Sequence, residues 1–284
     1  MISLTTIPSR ARHLSQLVDS INNQTVLPSK IEINLPSQYH KRSLGKVDRK
    51  LIPSDLDVYD CEDFGPATKI LPTLKRYSDS DTRIVYCDDD RIYDKNWIHN
   101  LVAASDHHPK SAICDECISV SSIIYRYHHP HKGLRYKIRK AFSLGRFQPY
   151  RTDKWNESHI AQGFGGVLVK PSFFTNKVFS IPDILWSVDD IWLSGNMTLN
   201  GTEIRWSGRN REDKSKPIFV GSHELGRLPE SLNLSEFDGF DRHSADHYAV
   251  RYFQNNFGIW SAQKHPLGNP YHGTPTSTVK RVSD

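Results

Sequence analysis

The sequence has little cysteine and no long apolar run, and both absences narrow the class of protein. Its 284 residues include only 4 cysteines, too few for a fold of this length to be held together by disulfides. No segment approaches the roughly 18 consecutive apolar residues that a membrane-spanning helix needs. The first residues also lack the basic and apolar regions of a signal peptide. We therefore expect a cytoplasmic protein with reduced thiols.

The cysteines leave one alternative open. Cys114 and Cys117 are spaced like half of a zinc site, for which Cys61 and Cys87 would have to supply the other half. Neither of the latter two belongs to a second paired motif. Buried thiols are therefore the favoured interpretation.

The sequence also lacks a large excess of charge of one sign. The 37 Lys and Arg residues exceed the 32 Asp and Glu residues by a net charge of +5, which suits a phosphate-bearing ligand or an anionic membrane surface. The excess is too small to indicate nucleic-acid binding, and we expect no nucleic-acid partner. A hydrophobic content of 37% with 24% charged residues excludes disorder and fibrous repeats.

Strand and helix patterns alternate along the first third of the chain. Residues 2–7 and 31–35 predict buried strands, and Leu14, Leu17, Val18 and Ile21 recur between them at helical spacing. Such a βαβ unit builds a parallel sheet with a right-handed crossover. Further strands are predicted at residues 56–59 and 83–87, and further helices near 67–74, 97–102 and 187–199. The sequence thus predicts an α/β fold with a mostly parallel central sheet flanked by helices.

An acidic triplet follows the most convincing of these strands. Asp88, Asp89 and Asp90 come directly after residues 83–87, at the carboxyl end of a strand, where ligands bind in open α/β sheets. Adjacent carboxylates repel one another, and a hard divalent cation removes that cost. The alternative is an acidic turn in which Asp90 or Asp94 caps the next helix.

Five segments follow one another along the chain: residues 3–10, residues 65–69, the acidic triplet, residues 163–166 and residues 188–190. In this order they resemble GT-A glycosyltransferases, closest to the family 2-like bacterial enzymes of surface polysaccharide synthesis. The resemblance spans roughly residues 1 to 225. It implies a GT-A (Rossmann-like) fold and transfer of a sugar from a nucleotide-diphosphate sugar, with a UDP-sugar as the first candidate. The acceptor would be a hydroxyl of a glycan or of a lipid-linked molecule.

The resemblance also implies roles for individual residues. The donor would be bound by Thr6, Pro8, Arg10, Gly65, Lys69, Asp88 and Asp89. Mn²⁺ or Mg²⁺ would be held by Asp90, by Asp88, which is directed toward the ribose or the ion, and by His223. The acceptor would contact Phe164, Gly165, Gly166 and Trp186.

A second acidic pair is implied to carry the proton transfer. Inverting members of the group place a carboxylate at the start of a helix below the acceptor, a position that Asp189 and Asp190 match. We expect Asp190 to be the base and Asp189 to bind the acceptor or the donor sugar. The group often has Glu before the Asp, so the assignment between the two stays open, and both residues could simply cap a helix.

The remaining expectations concern domains and rival functions. Residues 1–120 would form the donor half, residues 121–265 the acceptor half, and residues 266–284 an irregular tail. The basic segment 125–151 suits an anionic membrane surface, which would place the protein peripherally at the inner face of the membrane, but a solvated insertion fits equally well. The rival functions are a magnesium-dependent nucleotidyltransferase or phosphohydrolase, and a non-enzymatic basic module that binds membrane or nucleic acid.

Overall fold

The computed structural model describes residues 1–40, 44–128, 159–209, 214–227 and 242–261. Most of the predicted basic segment, from residue 129 onward, and the whole predicted tail lie outside these residues. The division into a donor half, an acceptor half and a tail therefore stays a prediction.

A central sheet of seven strands organises the fold. The strands of the described chain are β1 Ile2–Thr5, β2 Ile31–Pro36, β3 Leu56–Cys61, β4 Ile84–Tyr86, β5 Arg91–Ile92, β6 Ser111–Cys114, β7 Cys117–Ser119, β8 His159–Ala161, β9 Val167–Val169, β10 Glu203–Trp206, β11 Lys216–Pro217, β12 Phe219–Val220 and β13 His223–Glu224. The central sheet has the order β10-β6-β9-β4-β1-β2-β3. Its pairs are parallel except where β9 runs antiparallel to β4 and β6. The predicted α/β fold class, with a mostly parallel central sheet flanked by helices, is confirmed.

Helices cover both faces of the sheet. They are α1 Leu14–Asn22, α2 Leu71–Arg76, α3 Trp97–His107, α4 Val120–His128, α5 Asp189–Leu199 and α6 Arg242–Phe257. Alternation along β4 sends Ile84 and Tyr86 into a core shared with α2, α5 and α6. Val85 points the other way, into a core shared with α1 and α3. Burial on both faces explains why the central strands are apolar throughout.

Small differences from the sequence prediction occur at element ends. The first strand stops at Thr5 and not at residue 7, because Pro8 and the following turn lead into a short 3-10 helix over Ala11–His13. Pro72 lies in the first turn of α2, where its missing N–H costs nothing. The described helices include none that is long and apolar enough to cross a membrane.

The sheet order also bears on the cysteines. Cys61 ends β3 at one edge of the sheet, whereas Cys114 ends β6 four intervening strands away. Neighbouring strands lie about 4.8 Å apart, so these two thiols cannot share one ion. Burial raises the pKa of both Cys61 and Cys87 to about 12. The geometry thus supports protonated thiols over a four-cysteine zinc site.

Candidate active site

A cavity of about 580 Å³ opens at the carboxyl ends of β1, β2 and β4. Its size is typical of a ligand site. The cavity brings together most of the residues that the sequence predicted for the site, namely Thr6, Arg10, Gly65, Lys69, Asp88, Asp89, Asp90, Phe164, Trp186, Asp189 and Asp190. The other predicted residues, Pro8, Gly165, Gly166 and His223, are described by the structure but are not part of its lining.

Asp89 is the most firmly held carboxylate of the acidic triplet. The Thr6 hydroxyl donates a hydrogen bond to its Oδ2 at 2.6 Å, and Arg10 Nη1 donates to its Oδ1 at 2.7 Å. Burial alone would lower the pKa of Arg10, but Asp89 and Asp90 raise it above its ordinary value. Asp89, only 6% exposed, therefore anchors the loop after β1 to the end of β4.

Asp90 is partly buried and its charge is compensated much more weakly. Arg10 Nη1 lies 3.6 Å from its Oδ2, beyond hydrogen-bonding distance. Burial, together with the neighbouring charges of Asp88 and Asp89, raises the pKa of Asp90 to about 7. A Cβ atom at Gly226 would lie only 2.6 Å from Asp90 Oδ2, so glycine allows the chain to approach this carboxylate closely.

Asp90 has the chemistry expected of a ligand for a divalent cation. A hard cation prefers carboxylate oxygen, and it would reverse the repulsion that raises this pKa. Among the described residues, no group of three His, Cys, Asp or Glu side chains is arranged to hold a metal. Mg²⁺ is commonly held by one or two carboxylates plus substrate phosphates, so the residues present fit a cation that binds together with a phosphorylated donor.

Lys69 lies at the centre of the remaining carboxylates. Its Nζ is 2.5 Å from Asp88 Oδ1, 2.8 Å from Asp189 Oδ2 and 3.9 Å from Asp190 Oδ1. Burial alone would lower the pKa of Lys69, but the three carboxylates raise it well above its ordinary value. The ammonium is therefore charged, and it connects the end of β4 with the start of α5.

The second acidic pair occupies the first turn of α5. Asp189 and Asp190 begin this helix, whose N-terminal N–H groups favour negative charge. The Gly163 N–H also donates to Asp190 Oδ1 at 2.9 Å. The side chain of Asp190 is 14% exposed and that of Asp189 is 6% exposed, so Asp190 is the more accessible of the two carboxylates.

The glycine-rich loop before β9 supports the cavity from behind. Gly166 has a φ of +87°, which glycine adopts readily. Trp97 Nε1 donates to the Gly165 carbonyl at 2.8 Å, and the Tyr93 hydroxyl donates to the Phe164 carbonyl at 3.0 Å. Gly165 and Gly166 pack closely against Glu116 and Trp97, respectively. The loop therefore presents Phe164 to the cavity and directs the two glycines toward the protein interior.

On the opposite side, Gly65 makes room for Trp186. Gly65 has a φ of +59°, and a Cβ there would lie 2.7 Å from Trp186 Nε1. The Gly65 N–H donates to Asp63 Oδ1 at 2.8 Å, which fixes the turn. Trp186 thus becomes part of the cavity wall.

The hairpin of β12 and β13 places Glu224 at the cavity and leaves His223 outside it. Glu224 is part of the lining, whereas His223 is exposed. Successive side chains of a strand point to opposite sides, so the two residues cannot both face the cavity. The hairpin is held beside the acidic triplet because the Ile218 N–H donates to the Asp90 carbonyl at 2.9 Å.

Several cavity residues were not predicted from the sequence. They include Tyr39, Asp63, Arg91, Gln162, Ser187, Glu224, Gly226, Arg227 and Asp246. The helix that carries Asp246 could have been predicted. Its buried apolar residues recur at helical spacing in α6, namely Ala245, Ala249, Val250 and Phe253. The strands near Glu224 have only two residues each, too few for a periodic signal.

Comparison with known proteins gives a family match for part of the chain. Residues 73–172 match the model of the family described as Glycosyl transferase family 2. This range contains the acidic triplet, β9 and the glycine-rich loop. No curated protein matches the chain.

Similar solved structures include three crystal structures of TarS from S. aureus. The structure of residues 1–349 in complex with UDP is 14% identical and has a TM-score of 0.46, and it covers 77% of this chain and 60% of that chain. The structure of the same residues without UDP in its description gives 13% identity, a TM-score of 0.43, and 76% and 59% coverage. A longer TarS structure gives 12% identity, a TM-score of 0.47, and 77% and 36% coverage. The chain thus spans less than two thirds of the length of each.

The fold and the family match agree on one segment of the chain. A mostly parallel α/β sheet carries the acidic triplet at a strand end, and the segment around that triplet matches Glycosyl transferase family 2. The predicted resemblance to family 2 glycosyltransferases is thus confirmed for residues 73–172.

Proposed function

We propose that this protein transfers a sugar from a nucleotide-diphosphate sugar to an acceptor hydroxyl, with the help of a divalent cation and with inversion at the anomeric carbon. One observation carries the proposal. A single cavity contains the strand-end carboxylates Asp88, Asp89 and Asp90 together with the helix-start carboxylates Asp189 and Asp190. A cation-binding group and a proton acceptor in one cavity are what this reaction requires.

The nucleotide half of the donor is proposed to lie over the ends of β1 and β2. Thr6 and Arg10 are fixed there by Asp89, and the Tyr39 hydroxyl donates to the Thr6 carbonyl at 2.9 Å. Such a preorganised wall lowers the entropy cost of binding. A UDP-sugar remains our first candidate, as the family resemblance suggests.

Mn²⁺ or Mg²⁺ is proposed to bind at Asp90, with Asp88 as a second ligand. When bound, the ion would offset the negative charge that develops on the departing diphosphate. His223 stays a prediction as a third ligand; Glu224 is the residue of that hairpin whose position supports such a contact.

Asp190 is proposed to be the general base. It lies in the first turn of a helix, it accepts the Gly163 N–H, and it is reachable from the cavity. The acceptor hydroxyl gives its proton to Asp190 while its oxygen forms a bond to the anomeric carbon. The bond from that carbon to the phosphate oxygen breaks, and its electron pair leaves with the nucleoside diphosphate.

The acceptor is proposed to enter beside Trp186 and Phe164. An aromatic wall suits the apolar face of a sugar ring, and Arg126 of α4 and Asp246 of α6 line the same cavity and supply polar contacts. A glycan or a lipid-linked molecule therefore fits. Attachment to an anionic membrane through residues 125–151, at the cytoplasmic face, stays a prediction because most of that segment lies outside the described residues.

Product analysis tests the proposal. The protein would be incubated with Mn²⁺ and a panel of nucleotide-diphosphate sugars, and the released nucleotide identified. We expect a nucleoside diphosphate, and an inverted anomeric configuration in the product by nuclear magnetic resonance. Pyrophosphate or inorganic phosphate would instead indicate the nucleotidyltransferase or phosphohydrolase alternative. A retained configuration would contradict the role of Asp190.

A further inference from the structure

Lys69 is more deeply enclosed than a donor ligand needs to be. The residue is 3% exposed, although its ammonium lies at the wall of an open cavity. The main chain at Gly163 covers it so closely that a Cβ there would collide with Nζ. The lysine is thus held from behind by the glycine-rich loop.

This ammonium is already engaged by contacts within the protein. A lysine ammonium has three N–H donors. One of them donates to Asp88 Oδ1 at 2.5 Å, and Asp189 Oδ2 forms an ion pair with Nζ at 2.8 Å. The third carboxylate, Asp190, is 3.9 Å away. A donor diphosphate would therefore have to compete with contacts that already exist.

The charge balance also favours a role for Lys69 within the protein. One ammonium faces three carboxylates, and burying carboxylates without a counter-charge is costly. Asp88 follows β4 and Asp189 begins α5, so the ion pairs join the wall proposed for the donor to the wall proposed for the base. Lys69 itself ends the short 3-10 helix Ala67–Lys69 before α2 and so holds the two walls from a third element.

We propose that Lys69 is a positioning residue that fixes Asp88 and Asp189, and through them the neighbouring base Asp190, and that it is not a ligand of the donor diphosphate. The inference rests on the proposed function only for what the positioned carboxylates do. The ion-pair network itself can be tested without any activity.

The kinetic test compares Lys69→Met with Lys170→Met. Methionine keeps the length of the side chain and removes its charge. Lys170 is a matched control because it pairs with Asp81 at 2.9 Å and is not part of the active-site cavity. We expect Lys69→Met to lower kcat about 100-fold, the cost of a small misplacement of reacting groups, with the donor KM changed less than about threefold. Lys170→Met should leave both constants unchanged.

Mn²⁺ affinity should change in opposite directions for a positioning residue and for a ligand of the donor diphosphate. Removal of the ammonium releases Asp88, so Lys69→Met should bind Mn²⁺ at least as tightly as the wild type in electron paramagnetic resonance titrations with nucleoside diphosphate present. A donor ligand would behave differently. Weaker nucleotide-dependent Mn²⁺ binding, or a donor KM raised about tenfold with kcat retained, would overturn the proposal.

A thermal double-variant cycle tests the ion pair alone. Lys69→Met and Asp189→Asn should each lower Tm, and the double variant should lose clearly less than the sum of the two. Additive losses would overturn the proposal. If Lys69→Met does not fold, the double variant decides: recovery of folded protein supports the ion pair, and failure to recover it refutes the ion pair. Because this cycle needs no substrate, its result is separate from any failure of the proposed reaction.

Discussion

The two acidic groups that line the cavity differ in how their charge is compensated. At the end of β4, Asp90 has a distant contact with Arg10, at 3.6 Å. The charges of Arg10 and Arg91 lower its pKa, but burial and the other two carboxylates outweigh them and raise it to about 7. At the start of α5, Asp190 receives a main-chain N–H at 2.9 Å and Asp189 an ammonium at 2.8 Å. Burial and like charges thus disfavour the ionised form of Asp90, whereas the carboxylates at the start of α5 have polar partners within the protein.

This difference separates two roles that residue type alone does not separate. An under-compensated carboxylate gains most from a bound cation, while a well-compensated and accessible one is ready to accept a proton. Variants at the two acidic groups should therefore lose different properties, and the largest loss is expected at Asp190.

Asp190→Asn should nearly abolish transfer. Asparagine keeps the size of the side chain but cannot take the hydroxyl proton, and loss of a general base typically costs about 1,000-fold in rate. Steady-state kinetics would give kcat, and thermal unfolding would confirm that the variant is folded. Asp106→Asn is a suitable control, because Asp106 forms an exposed ion pair with Arg83. A loss below about tenfold would remove Asp190 from the base role.

Asp90→Asn should weaken cation binding and abolish a pH dependence of stability. The folded state holds the Asp90 proton up to about pH 7, whereas an ordinary Asp loses it near pH 3.9. Stability from this group is thus complete below about pH 4 and is lost as the pH rises through about 7. In the presence of a chelator, the variant should lack this loss and should exceed the wild-type Tm at pH 8 by roughly 3 °C.

Addition of a cation should also distinguish the wild type from Asp90→Asn. Mn²⁺ with nucleoside diphosphate should raise the wild-type Tm at pH 8 and should have little effect on Asp90→Asn, because a ligand that binds only the folded state stabilises it. An equal rise in both proteins would show that Asp90 is not the principal ligand. Such a result would also erase the contrast between the two acidic groups.

Local periodicity predicted the elements that carry the site, but not the contacts between them. The apolar pattern of β1, α1 and β2 is visible within 35 residues, and the acidic triplet follows β4 as expected. The bridge from Lys69 to Asp189 joins residues 120 positions apart, and it depends on how α5 packs against the sheet. No short-range pattern in the sequence records that packing.

Long-range packing also determines which residues of the glycine-rich loop face the cavity. The family resemblance predicted that Gly165 and Gly166 contact the acceptor. Their surroundings are Glu116, between β6 and β7, and Trp97, which begins α3. These contacts direct the glycines inward. Phe164, between Gly163 and Gly165, is the member of this loop that lines the cavity.

Gly226→Ala should have a moderate effect at the under-compensated group. The added methyl group would lie 2.6 Å from Asp90 Oδ2, so the carboxylate or the turn over Leu225–Arg227 has to move. We expect Mn²⁺ binding weakened about tenfold, consistent with a displaced rather than a deleted ligand. Gly221→Ala is the control, because it has a positive φ and nothing within 4 Å of its Cβ position, so it introduces backbone strain without touching the site.

The smallest effect is expected from the hairpin, where a pair of variants separates two neighbouring residues. Glu224 lines the cavity and His223 is exposed, because the side chains of a strand alternate. Glu224→Gln should therefore weaken nucleotide-dependent Mn²⁺ binding by a few fold, about 1 kcal/mol or less, and His223→Gln should leave it unchanged. The reverse result would mean that the hairpin turns over when the donor binds, since only a changed strand register brings His223 to the inner side. Movement of β13 would then bring a ligand to the cation at Asp90. The carboxylates Asp189 and Asp190 would keep the partners that they already have.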